Sequence, residues 1–125
     1  MVPDVIRRFF EAYRDAFVRF DGAGVAASYH APSILARGDA YVLWATPAEV
    51  RANCEALVDG YRNRGTERAE YEISGFQAQG SHFAVVTLGW TIYSRQAEDP
   101  LSFHATYNLF EQAGNWRILV ATVFD

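Results

Sequence analysis

Residues 82–95 read His82-Phe83-Ala84-Val85-Val86-Thr87-Leu88-Gly89-Trp90-Thr91-Ile92-Tyr93-Ser94-Arg95. Valine, threonine, isoleucine and aromatic residues dominate, so this is read as one long strand. Alternation sends Ala84, Val86, Leu88, Trp90 and Ile92 to one side and Val85, Thr87, Thr91 and Tyr93 to the other. Both sides are apolar. Three further strands are predicted around it, at about 70–79, 101–111 and 116–124. Gly80-Ser81 gives a tight turn, residues 96–100 a longer one, and Gln112-Ala113-Gly114-Asn115 the last. Sequential hairpins imply an antiparallel meander.

The first half reads as helices. Ile6, Phe9, Phe10, Tyr13, Phe17 and Phe20 recur at helical spacing between Pro3 and Phe20, with Asp21-Gly22 as the stop. A short second helix is predicted over residues 23–29, ended by Pro32. Residues 33–36 and 41–44 read as two short strands joined by the turn Arg37-Gly38-Asp39-Ala40. Thr46-Pro47-Ala48-Glu49 is a capping box with proline at the first helical position, and it opens a third helix burying Val50, Cys54, Leu57, Val58 and Tyr61. Helices first and strands afterwards give an α+β domain, with three N-terminal helices on a curved, mainly antiparallel sheet around an apolar pocket. Three helices cover only one side of such a sheet. The other apolar side is expected to pack on a second copy, making a homodimer through an outer face that includes Trp90, His104 and Asn108.

The totals agree with one domain over residues 1–125. A chain of 125 residues buries roughly two-thirds of its unfolded surface and needs no disulfide or metal staple. Half of it is hydrophobic and aromatics reach 15%, which points to a thick core, a lined pocket or an interface. The net charge is −4, all the bases are arginine, and no basic stripe suggests nucleic acid as a partner. One cysteine, Cys54, excludes an internal disulfide. No apolar run reaches membrane-spanning length and no signal peptide is visible, so no membrane partner and a cytoplasmic location are expected. His30, His82 and His104 are scattered without metal-ligand spacing, so neither a metal nor a cofactor is expected.

Several segments carry a family resemblance. Ile6-Arg7-Arg8-Phe9-Phe10-Glu11-Ala12-Tyr13, Asp21-Gly22-Ala23-Gly24-Val25-Ala26-Ala27-Ser28-Tyr29, Thr46-Pro47-Ala48-Glu49-Val50 and Trp116-Arg117-Ile118 stand in this order. The arrangement resembles the nuclear transport factor 2-like superfamily, the cystatin-like α+β cone that includes ketosteroid isomerases and SnoaL-like polyketide cyclases. The resemblance covers nearly the whole chain and implies the fold more than any one reaction. It places Tyr13 where those isomerases keep an oxyanion-donating tyrosine. Their protonated aspartic acid falls on Tyr107. Their base aspartate falls near Ala36 or Arg37, neither of which can accept a proton, so steroid isomerisation itself is not implied.

The candidate catalytic residues are therefore Tyr13 and Tyr107, two phenols able to donate to a carbonyl or its enolate, with Asp39 or His30 to move protons. Arg37, near the pocket mouth, is the candidate anchor for a carboxylate. Phe17, Trp44, Leu57, Phe103 and Phe124 are the expected apolar walls. Two functions fit: a cofactor-free isomerase, cyclase or dehydratase acting next to a carbonyl, and a non-enzymatic binder of an apolar or carboxylated metabolite. A dimeric protein-interaction module is the third reading.

Overall fold

Helix α1 (Asp4–Val18) buries Ile6, Phe10, Tyr13 and Ala16, the core-facing half of the apolar stripe, in a computed structural model that describes residues 1–125. The helix stops two residues before Phe20. Phe20 takes a left-handed φ of 57°, and the Asp21 N–H donates to the Ala16 carbonyl at 2.8 Å, the pattern that closes many helix C-termini. Glycine usually fills such a position. Here Arg62 holds the phenylalanine, with its guanidinium 5.4 Å from the ring centroid and an N–H donated to the Phe20 carbonyl at 3.3 Å.

Asp21 then caps α2 (Gly22–Ala27) by accepting from the Gly24 N–H at 3.0 Å. The expected extension of this helix to Tyr29 is corrected. Tyr29 opens strand β1 (Tyr29–Arg37), and Pro32 lies inside that strand. Its missing N–H is tolerated because the pairing of β1 with its neighbour shifts between Tyr29 and Ile34. The turn Gly38-Asp39 leads to β2 (Ala40–Trp44). Helix α3 (Pro47–Asn63) begins at the expected capping box. The Glu49 N–H donates to Thr46 Oγ1 at 3.2 Å, and the Glu49 carboxylate accepts from the Ala45 N–H at 2.6 Å.

Four long strands follow: β3 (Thr66–Gln79), β4 (Phe83–Ser94), β5 (Leu101–Gln112) and β6 (Asn115–Phe124). They form the expected meander inside one six-stranded sheet of order β2-β1-β6-β5-β4-β3. One pair is parallel, β1 with β6. All others are antiparallel.

All three helices pack on the same side of this sheet. Its inner residues include Ala84, Val86, Leu88, Trp90 and Ile92 of β4, Ala105, Tyr107 and Leu109 of β5, and Ile118 and Ala121 of β6, all buried. The outer side carries Val85, Thr87, His104, Thr106 and Asn108, which are half-buried or exposed. Trp90 corrects an expectation. It lies opposite Phe103 on the inner side and is buried at 5% exposure, so it belongs to the core and not to the outer face.

Candidate functional site

Three phenols and one indole converge where α1 crosses the sheet. Tyr13 comes from α1, Tyr29 from the start of β1, Trp90 from β4 and Tyr107 from β5. The Tyr13 and Tyr29 hydroxyls are 2.8 Å apart. The Trp90 Nε1–H donates to Tyr107 Oη at 3.0 Å. The Tyr13 ring centre lies 5.8 Å from that of Tyr107 and 6.3 Å from that of Trp90. Burial pushes the ionisation of Tyr13, Tyr29 and Tyr107 well up from the ordinary phenol value, and the neighbouring phenols add to this for Tyr13 and Tyr29. All three therefore remain protonated donors near neutral pH.

The proton count decides what the cluster can do. Three O–H groups and one N–H bring four protons, and the two bonds above use two of them. Tyr107 and Tyr13 also share a hydrogen bond, which opposes the rise that burial gives the Tyr107 phenol, so one hydroxyl proton is left for a guest's acceptor.

Beside the cluster lies a hollow of about 60 Å³, room for more than one water or for the end of a small molecule. Apart from the phenols and the indole, its only polar side chains are Arg37 and Thr66. The Thr66 hydroxyl is already paired with Ser94 Oγ at 3.3 Å. The hollow widens into a mouth groove of about 710 Å³. Arg37, Leu57, Tyr61, Phe103 and Val123 line both.

Of the residues singled out in the sequence, Tyr13, Tyr107, Phe17, Leu57, Phe103 and Arg37 come together on the hollow. Four do not. Asp39 is exposed on the β1–β2 turn and lines neither space, because the inner side of β1 ends at Arg37. His30 has the opposite parity to Tyr29; its Nδ1 sits 3.0 Å from the Pro32 carbonyl and its ring packs edge-on to Phe110 at 5.6 Å. Trp44 is buried behind the hollow, 5.4 Å from the Tyr29 ring. Phe124 stacks on His104 at 5.5 Å and reaches only the mouth groove. Cys54 is buried in the core, its thiol pushed up to about 12 by burial. No group of three or more His, Cys, Asp or Glu side chains converges to hold a metal ion.

The sequence reading missed Tyr29 and Trp90. The signal for Tyr29 was its parity with Leu35 and Arg37 along an extended segment. For Trp90 it was the side it shares with Leu88 and Ile92.

No curated protein matches the chain. Among solved structures, an NTF-2 like protein of unknown function from Shewanella oneidensis MR-1 is similar at TM-score 0.79 and 15% identity, with 98% of each chain covered. A domain of unknown function with a cystatin-like fold from Nostoc punctiforme superposes at TM-score 0.78 and 18% identity, over 97% of this chain and 75% of that one. A ketosteroid isomerase-like protein from Erwinia carotovora atroseptica gives TM-score 0.73 and 20% identity, over 96% and 92%. These likenesses show the cone fold. The family described as NTF2-like protein (DUF6841) matches residues 3–125, and the chain therefore belongs to that NTF2-like family.

Proposed function

We propose that the protein binds a small apolar molecule that offers a hydrogen-bond acceptor to the phenols of Tyr13 and Tyr107. One observation carries this reading. At least one hydroxyl proton of the buried cluster is not consumed by the bonds within it, and an apolar hollow lies against the phenols. A carbonyl or phenolate oxygen placed there gains donors in a site of low dielectric, where each bond is stronger than in water. Such donors also stabilise charge developing on a carbonyl oxygen, the requirement of an isomerase, cyclase or dehydratase working beside a carbonyl. A base is the second requirement of those reactions. No carboxylate or imidazole lines the hollow, and both Asp39 and His30 lie elsewhere. That favours binding, with carbonyl polarisation, over proton transfer by a side chain.

Acetophenone is a suitable probe, with one acceptor on one ring. Tyr13→Phe and Tyr107→Phe should each weaken its binding roughly three- to tenfold, the worth of one net hydrogen bond, while the fold is retained. Affinity unchanged in both variants removes the phenols from the site.

A second reading concerns the outer side of the sheet. Phe83 and Phe124 are exposed there, Phe83 stacks on Phe110 at 5.2 Å, and His104 stacks on Phe124. We propose that a second copy covers this side, with His104 and Asn108 in the contact. Sedimentation equilibrium should then give twice the chain mass, and His104→Glu should shift the population toward single chains. A single-chain mass for the unaltered protein at micromolar concentration contradicts this.

A further inference from the structure

We propose that the molecule held in the hollow is a carboxylic acid, with its carboxylate at the rim between Arg37 and Arg64 and its acceptor-bearing apolar end among the phenols. This rests on the binding reading above and adds the charge and length of the ligand.

Arg37 is the last residue of β1, opposite Val123 of β6, on the same side as Leu35. It lines both the hollow and the mouth groove. Arg64 caps the end of α3 and lines the groove from the opposite wall. Tyr61 of α3 lines both spaces as well. The Arg64 guanidinium is 6.0 Å from the Tyr61 ring centre. Burial raises the ionisation of the Tyr61 phenol, and Arg37 and Arg64 both oppose that rise. Two positive charges from two different elements therefore act at one point of the rim.

Neither charge is spent inside the protein. Arg14, Arg19, Arg51 and Arg68 each have a carboxylate within 4.0 Å; Arg37 and Arg64, like the five other arginines, have none. Asp125 is the one acid on the groove, and it is not paired with either guanidinium. In a chain of net charge −4, an unpaired cationic pair above an apolar floor is a local feature. A planar guanidinium binds a carboxylate through two parallel N–H bonds and loses little hydration in doing so.

The register sets the length. Tyr107 lies opposite Ala121, and Arg37 lies opposite Val123 one strand further across. The two Cα positions are thus separated by about 7 Å along the strands and about 10 Å across them. Both side chains reach inward, which leaves room for about one six-membered ring between the acceptor and the carboxylate.

Three probes test this: 4-acetylbenzoate, its neutral amide 4-acetylbenzamide, and acetophenone, titrated calorimetrically into the full chain at low salt. The acid should bind at least tenfold tighter than the amide. In Arg37→Ala/Arg64→Ala that preference should fall to about one, while circular dichroism shows the fold retained. Equal binding of acid and amide, or a preference that survives the double substitution, overturns the proposal. So does a failure of all three probes to bind. Arginine-dependent binding of the acid that is unaffected by both Tyr13→Phe and Tyr107→Phe supports the rim site and refutes the phenol reading.

Discussion

Val85 and Val86 are consecutive residues of β4, yet Val86 is fully buried and Val85 only half so. The two sides of the sheet differ little in residue type. Val, Thr and aromatic side chains stand on both. They differ in what lies opposite. The inner side meets three helices and forms the Tyr13–Tyr29 and Trp90–Tyr107 bonds, while Ser33 Oγ and Trp44 Nε1 stay buried without a partner. The outer side has only local pairs: Thr87 with Thr106 at 3.2 Å, Phe83 on Phe110, and His82 with Glu111 at 2.8 Å. Alternation assigns a residue to a side. The helices then decide which side becomes core and cavity.

The largest contrast should come from truncating large side chains. Trp90→Ala removes a buried ring and the donor to Tyr107, and should cost about 3–5 kcal/mol of folding stability in urea melts. Leu88→Ala, fully buried on the same side, should cost about 2–5 kcal/mol. An outer substitution such as Thr87→Ala should cost less than about 1 kcal/mol in a single chain. Equal losses on both sides would break the distinction for the single chain and would require the outer side to be covered.

Alkaline pH should sharpen it further. The folded state holds the protons of Tyr13, Tyr29 and Tyr107 above the ordinary phenol value of 10.0, whereas the unfolded chain releases them near that value. Stability is thus fully present below pH 10 and falls as pH rises above it, by about 1.4 kcal/mol per pH unit for each phenol kept neutral. Ultraviolet titration should show these three ionising together with unfolding. Their smooth titration near pH 10 in a folded chain would contradict their place on the inner side.

Cys54 gives a smaller, chemical version of the same contrast. Its thiol is buried and pushed up to about 12, so reagents that need a thiolate should label it only at the rate of opening. Rapid labelling of the native chain would place it at an accessible surface. The smallest effect should come from the exposed end of the sheet. His82→Ala breaks a surface pair with Glu111, and should leave the melting temperature essentially unmoved.

Much of this was legible because the local signals were strong. The alternation of residues 82–95 gave β4 and its two sides. Thr46-Pro47-Ala48-Glu49 gave the start of α3. The spacing Ile6, Phe10, Tyr13 put Tyr13 on the inner face, and strand parity set Tyr107 against His104. The failures had separate causes. Tyr29 sits where a six-residue helix gives way to a strand, and so short a segment has no period to separate the two. Trp90 had the right parity, but large rings suit a core and an interface equally, and only the position of α1 decides between them. The β1–β6 pairing and the groove that Arg37 and Arg64 both line join distant segments, and no local pattern encodes either. Asp39 failed for a simpler reason: in a tight turn, one residue beyond the last inward position already faces water.

The most direct test is a crystal structure of the protein with acetophenone. The ring is expected in the hollow, with the carbonyl oxygen about 2.7 Å from the Tyr13 or Tyr107 hydroxyl, the usual O–H···O distance. A ring bound on the outer side of the sheet, or in the hollow with its oxygen turned away from every phenol, would contradict it.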